Sequence, residues 1–454
     1  MAIGSVDNEV GITRPVTHRA ILTLAVPIIL SNITTPLVGA VDTAVIGQLG
    51  VASLVGGVAI GATIFSLLFW TFGFLRLGTS GMTAQAFGRR DQPEIAATLQ
   101  RALLVAVVAG AGLIALQWPI RLLVLWAIGG SPEVVDAAGA YFDVRIWSAP
   151  AAFVNFAILG WLVGLGRAGL AFLIELLLNV VNIALSVTLV LGMGWGVQGV
   201  AAATLVAEVV AALTGLVLAR RELAATGGLA PWRIVLERRE LWRVMAVNTD
   251  IMIRNFCLIA AFAFFTSQGA RTDDITLAAN AILFDIFGIT AYFLDGFAHA
   301  AETFVGRSVG AREPDRLKEA VWLPTLWSGV LSLFAALATW LGGGLVVDLM
   351  TTNAEIRLVA REFLLWCALS PIAGFFAFQC DGIYIGATRT VDMRNMMILS
   401  LLLYLGAAWV LVPKLGNHGL WAALMIFLIA RGVTLGWRLP ALIAATARAP
   451  VAAT

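Results

Sequence analysis

The segment "AFGRRDQPE" (86–94) returns about 220 residues later as "SVGAREPDR" (308–316). Each copy follows a long apolar run and combines glycine, arginine, an acidic residue and proline. That mixture ends one helix and starts the next. The echo extends outward at the same spacing. "GLGRAG" (164–169) and "GATRTV" (386–391) each close an apolar run, while "GWGVQGVAAA" (194–203) and "LGNHGLWAAL" (415–424) each open one. Pro150 and Pro371 fall in matching runs. Agreement at this many places points to a duplicated unit.

The composition says what kind of unit it is. The 454 residues are 60% hydrophobic and 12% charged, with mean hydropathy +0.93. A soluble chain carries about 25% charge. This is the composition of an integral membrane protein. The net charge of +2 gives no reason to expect a nucleic-acid partner. Cys257, Cys367 and Cys380 lie in apolar runs, where they serve packing rather than a disulfide framework or metal site. The first apolar run reads as a retained span, not a cleaved signal.

A helical span needs about 20 largely apolar residues. Twelve runs qualify: 20–46, 52–78, 97–118, 137–163, 168–191, 199–220, 243–267, 277–306, 318–342, 357–385, 392–413 and 419–441. Two shorter stretches, 119–129 and 343–350, read as surface helices. The fold class is therefore all-α and polytopic: twelve transmembrane helices in two pseudo-symmetric six-helix lobes. The expected divisions are a cytoplasmic tail 1–19, an N-lobe 20–222, a cytoplasmic linker 223–241, a C-lobe 242–445 and a cytoplasmic tail 446–454. An even span count makes the repeats parallel, an arrangement in which transporters bind substrate between halves. Loops carrying Arg89, Arg90, Arg167, Arg220, Arg221, Arg312 and Arg389 alternate with arginine-free ones such as "GQLGVAS". The basic side is cytoplasmic, and both termini lie on it.

Within this frame the chain resembles the multidrug and toxic compound extrusion transporters. The two lobes, "GIYIGATRT" (382–390) and "FLRLGTSGMTAQAFG" (74–88) carry the likeness. "NTDIMIRNF" (248–256), "YFLDGFAHAAETFVG" (292–306) and "CDGIYIGATRTVDMRN" (380–395) resemble its DNA-damage-inducible prokaryotic branch. The resemblance implies a multi-pass protein of the inner membrane. It implies export of organic, often cationic or amphipathic compounds in exchange for protons, with Na+ as the alternative coupling ion. No cofactor is implied, and the expected partners are small substrates and the lipid bilayer, with the chain acting as a monomer.

The candidate residues are the charges inside spans. A central carboxylate costs about 2.5–3.5 kcal/mol to insert, so it marks function by default. Asp42 lies late in the first, outward-running span. At about 1.5 Å per residue, Asn179, Asn182 and Ser186 on span 5, Tyr141 on span 4 and Thr204 on span 6 reach the same outer depth. The resemblance implies that Asp42 is the protonation site, that Tyr141, Asn182 and Thr204 match its network, and that Pro27 matches the proline where the first helix bends. Archaeal members place a second aspartate where this chain has Ser186. The competing reading makes Asp42 a satisfied buried aspartate that only joins helices.

A second layer is expected in the cytoplasmic half: Arg76, Glu175, Asp250, Arg254, Asp295, His299, Glu302 and Asp381. Asp250 and Arg254, four apart, can pair locally. Asp295, His299 and Glu302 share a helical face, and Asp285 points away from it. These groups act as a gate between lobes, as static pairs within each lobe, or as direct binders of substrate or ion. Aromatic clusters around Phe65, Phe69 and Trp70 and around Phe284, Phe287 and Tyr292 are candidate drug-stacking surfaces, with core packing as the plainer reading. So too for Met393, Met396 and Met397.

Two other classes fit the sequence less well. A lipid-intermediate flippase needs a more basic cavity than the few arginines within spans supply. A membrane-embedded enzyme needs clustered ligands or a nucleophile–base pair, and three scattered histidines offer neither. The chain is therefore read as a transporter and not an enzyme.

Overall fold

A computed structural model describes residues 15–128, 131–224 and 227–448. The outer parts of both expected tails, and residues 225 and 226 of the linker, lie outside the described residues. Helices account for the described fold, and no strand occurs among those residues. They are α1 (His18–Gly47), α2 (Ala52–Thr71), α3 (Phe74–Gly88), α4 (Gln92–Ala115), α5 (Gln117–Ile128), α6 (Pro132–Arg145), α7 (Ala149–Gly164), α8 (Ala168–Ser186), α9 (Gly196–Ala224), α10 (Trp232–Val235), α11 (Arg238–Ala270), α12 (Asp274–Ala311), α13 (Pro314–Met350), α14 (Ala354–Gly386) and α15 (Thr390–Arg448).

Eleven helical runs among the described residues are long and apolar enough to cross a membrane. The last, Thr390–Ala447, is far longer than one crossing requires, and it is broken at Gly416, whose φ is 55°. It therefore supplies the eleventh and twelfth of the expected spans. Two runs are interrupted in the middle. α2 and α3 meet at Phe72–Gly73, where the backbone tightens to i−3 hydrogen bonds. α6 and α7 are joined by the 3₁₀ turn Ile146–Ser148, followed by Pro150. Pro371 lies instead inside unbroken α14, so the two prolines have different local consequences. The surface helix expected at 119–129 is α5. The one expected at 343–350 is not separate; it is the last two turns of α13.

The duplication is visible in the backbone. Positive φ recurs at the repeat spacing: Arg90 with Arg312, Gly166 with Thr388, and Gly194 with Gly416. So does the tightest helix packing. A Cβ on Gly160 or Gly164 would overlap the carbonyl oxygens of Arg76 or Ser80, and one on Gly382 or Gly386 those of Ala298 or Glu302. Only glycine allows these backbones to approach so closely.

The chain forms two compact units. One comprises Leu30–Phe87 and Asp91–Asn248; the other comprises the described residues through Ile29, Gly88–Arg90, and the chain from Thr249 onward. The boundary thus falls within α1 and within α11, where the sequence reading placed it before α1 and in the linker. The start of α1 packs with the carboxy-terminal helices: His18 Nδ1 accepts from Trp327 Nε1 at 3.0 Å. The linker belongs to the other unit. Buried Arg101 donates to the carbonyls of Ile234 and Val235 at 2.7 and 2.9 Å, and Gln100 exchanges two hydrogen bonds with Ala230.

Candidate functional site

Asp42 is 7% exposed, on the second half of α1. Ser186 Oγ donates to its Oδ1 at 2.6 Å. Ser186 is the last residue of α8 before the helix widens into a π-helical run, Val187–Gly192. Such widenings recur at functional positions. One turn earlier on the same helix, Asn182 Nδ2 donates to Thr204 Oγ1 at 2.9 Å, tying α8 to α9. Asn182 Oδ1 is buried with no hydrogen-bond partner among the described residues. Asn179 Nδ2 donates to Thr34 Oγ1 at 2.7 Å, tying α8 to α1. Buried Tyr141 borders both Thr204 and Arg145. The layer around Asp42 read from depth alone therefore assembles within one unit, with Ser186 directly on the carboxylate.

Arg145 was missed in the sequence. It ends α6 at the break in that crossing, 7% exposed, with Glu208 of α9 at 3.5 Å. Its guanidinium lies over the rings of Phe65 and Phe69, at 5.4 and 5.1 Å. It is also within electrostatic reach of Asp42 and Tyr141. Asn155 completes the cluster by donating to Glu208 at 2.7 Å. Phe65 and Phe69 are thus core rings whose cation is an internal arginine, not a drug-stacking surface. An arginine within span 4 and a glutamate within span 6 were the signal that could have revealed the pair.

The second layer resolves into pairs within each unit. Arg76 Nη1 meets Glu175 Oε1 at 3.4 Å. Asp250 does not pair with Arg254, although the spacing allowed it. Its Oδ1 accepts from Arg394 at 2.6 Å and its Oδ2 from Thr390 at 2.8 Å. Arg254 instead joins Asp381, whose Oδ2 also accepts from Arg431 at 2.6 Å. Asp381 on α14 and Thr390 and Arg431 on α15 are buried, and these tertiary partners replace the i,i+4 pair along α11. Arg431, 2% exposed and packed on Phe378 and Phe427, was also missed.

His299 Nδ1 contacts Glu302 Oε2 at 2.9 Å, and Glu302 is fully buried. Asp295 is within electrostatic reach of Arg431. Tyr292, between them on α12, is in electrostatic reach of both Asp285 and Asp295. Met393 and Met397 are buried in the core. Pro27 lies within the continuous run of α1. No group of three potential metal-ligating side chains occurs among the described residues.

Apolar crossings that enclose buried, hydrogen-bonded charges define a multi-pass membrane protein with the makeup of a secondary transporter. Residues 27–188 and 251–410 each match the MatE family model, one stretch per sequence repeat, and the chain belongs to that family of transporters. It is similar to DNA damage-inducible protein F of Escherichia coli (strain K12), 40% identical over 424 residues and 92% of each chain. It is also similar to the probable multidrug resistance protein NorM of Caulobacter vibrioides, 26% identical over 92% of each chain. In fold it matches an outward-facing multidrug resistance MATE family transporter of the MOP superfamily, with TM-score 0.89 and 21% identity over 99% of this chain and 100% of that one.

Proposed function

We propose that this chain is a multidrug efflux antiporter that exports organic cations in exchange for protons, with Asp42 as the proton carrier. The observation that carries the reading is the Asp42–Ser186 contact inside a polar layer that includes Asn182, Thr204 and Tyr141. A buried carboxylate exchanging between a charged and a neutral form alters the cost of closing apolar helices around it. When Asp42 is charged, its surroundings must remain open or polar enough to solvate it. When it takes a proton from outside, that cost disappears, α1 bends at Pro27, and the space beside it closes on the drug. The relatives named for multidrug resistance support drug export.

The intramembrane arginines support it against a lipid-intermediate flippase. Arg76, Arg145, Arg254, Arg394 and Arg431 each meet a carboxylate, so this set is engaged rather than available for a pyrophosphate.

Sodium coupling is the second reading, and one observation favours it. Asn182 Oδ1 is buried without a hydrogen-bond partner among the described residues, while the amide of the same side chain holds the Thr204 hydroxyl. Hard oxygen donors of this type suit Na+. The deciding experiment loads vesicles with ethidium and imposes a pH gradient, then a sodium gradient. Export driven only by the pH gradient supports the proton reading; export driven only by sodium replaces it.

Topology follows from the arginine bias. Both termini are proposed to be cytoplasmic, in the inner membrane. Cysteines introduced at Gln92 and Gly228 are then expected to react only with reagent on the cytoplasmic side, and those at Gln48 and Gln198 only from outside. Labelling of Gln92 and Gln48 from one side overturns the orientation.

A further inference from the structure

We propose that the cavity beside Asp285 on α12 is a subsite for the aromatic-ammonium end of a transported organic cation. The inference rests on the drug-export reading and names a contact for its substrates. Asp285 lies about 16 Å along α12 from Asp274, at 1.5 Å per residue, well inside an apolar crossing. It is exposed, and no hydrogen bond or ion pair engages it among the described residues. Exposure of a carboxylate to lipid is disfavoured, and such groups face aqueous cavities and ion or substrate paths. Unlike the paired carboxylates of the same unit, Asp285 is available to a cation from elsewhere.

Its surroundings specify which cation. A cavity of ≈ 160 Å³ adjoins it, lined by Phe265, Thr266, Leu277, Asn280 and Phe284. An apolar cavity of about 150 Å³ holds a benzene ring. The walls are fixed. Asn280 exchanges two hydrogen bonds with Asn417 and accepts a third from Trp421 at 3.0 Å. Phe265 meets Trp421 edge-on at 5.0 Å, and Phe284 meets Phe262 edge-on at 5.0 Å. A pocket held this way binds without first paying to order itself. One aromatic ring fills the cavity while an attached ammonium sits against the Asp285 carboxylate. Tyr292 is exposed two turns further along the same helical face. It extends the surface toward Asp295, which suits cations larger than a single ring.

The test uses the purified full-length protein in detergent. Benzyltrimethylammonium and its neutral isostere neopentylbenzene are titrated by displacement of a fluorescent cation, with melting temperature measured in parallel. Wild type should prefer the ammonium. Asp285→Asn should weaken it about tenfold and leave the neutral compound within about twofold. Thr266→Trp should weaken both by filling the cavity, and Asp285→Glu should retain ammonium binding. Equal ammonium affinity in wild type and Asp285→Asn overturns the proposal, as does failure of wild type to bind it. Ethidium export from vesicles is read separately. Export by wild type with Asp285-independent binding rejects the subsite and keeps the transporter reading. Asp285-dependent binding without any export does the reverse.

Discussion

Asp42→Asn should reach the membrane and fold, yet its pH-gradient-driven drug export should fall to the level of empty vesicles. Asparagine keeps the shape of a protonated aspartate and can still meet Ser186 Oγ, so the contact that joins α1 to α8 survives. What disappears is the alternation between a charged and a neutral group. In the proposed cycle that alternation connects the proton gradient to helix movement. The sign of the pH effect follows. A charged Asp42 attracts a cation and a neutral one does not, so wild-type cation binding should weaken as pH falls through the range in which Asp42 takes its proton. In Asp42→Asn this dependence should be flat. Ser186→Ala provides a graded companion. It removes the Ser186 hydrogen bond to the carboxylate, at a net cost of about 1.5–3 kcal/mol for a bond to a charged acceptor, and should displace the pH midpoint without abolishing export. Full pH-driven export by Asp42→Asn at wild-type expression would return Asp42 to the role of a helix-joining buried aspartate.

The grouping around Asp42 was legible because one quantity, depth along a helix, decided it. Asp42, Tyr141, Asn182, Ser186 and Thr204 sit on four different elements, and a rise of about 1.5 Å per residue is enough to bring them level. The span count was legible for a similar reason: apolar length is a property of each segment alone. Even the Gly416 break that divides α15 was signalled by "KLGNHG" between two apolar runs.

Pairing between charges was not legible. Depth gives no azimuth, and an i,i+4 pair such as Asp250–Arg254 looks favourable until neighbouring helices are in place. Those neighbours carry Thr390, Arg394, Asp381 and Arg431. The buried Arg431 guanidinium needs a carboxylate, and tertiary partners of this kind outweigh a local pair worth about 0.2–0.5 kcal/mol. Arg145 and Glu208 escaped notice for a related reason. Each is the lone charge of an otherwise apolar stretch, and nothing in either segment indicates the other. The division between units was hidden as well. Helix periodicity continues through Ile29 and through Asn248, so only tertiary packing shows that α1 and α11 each belong to two units.

The largest expected stability effect is at Asp381. Its Oδ2 accepts from both Arg254 on α11 and Arg431 on α15, so one carboxylate on α14 holds three helices together. Arg431 is almost wholly buried, with its guanidinium packed on Phe378 and Phe427. Asp381→Ala leaves that guanidinium buried without its hydrogen-bonded carboxylate, with Asp295 acting on it only electrostatically, a loss of about 3–5 kcal/mol. The variant should express poorly and melt well below wild type in detergent. Asp381→Asn should lie between them, because an amide oxygen still accepts a hydrogen bond while supplying no charge. The Asp381→Leu, Arg431→Met pair should recover part of the loss by replacing a buried ion pair with apolar volume; Arg254, with 11% of its side chain exposed, retains partial access to solvent. These outcomes separate a clamp within the carboxy-terminal unit from a gate between lobes. A clamp loses stability and leaves the distances between spin labels on the two lobes unchanged in the folded fraction. A gate shifts those distances while the melting temperature holds. Paired probes on the two lobes, measured in the same preparation as the melting curve, decide between them, and a normal melting temperature with shifted distances would overturn the clamp.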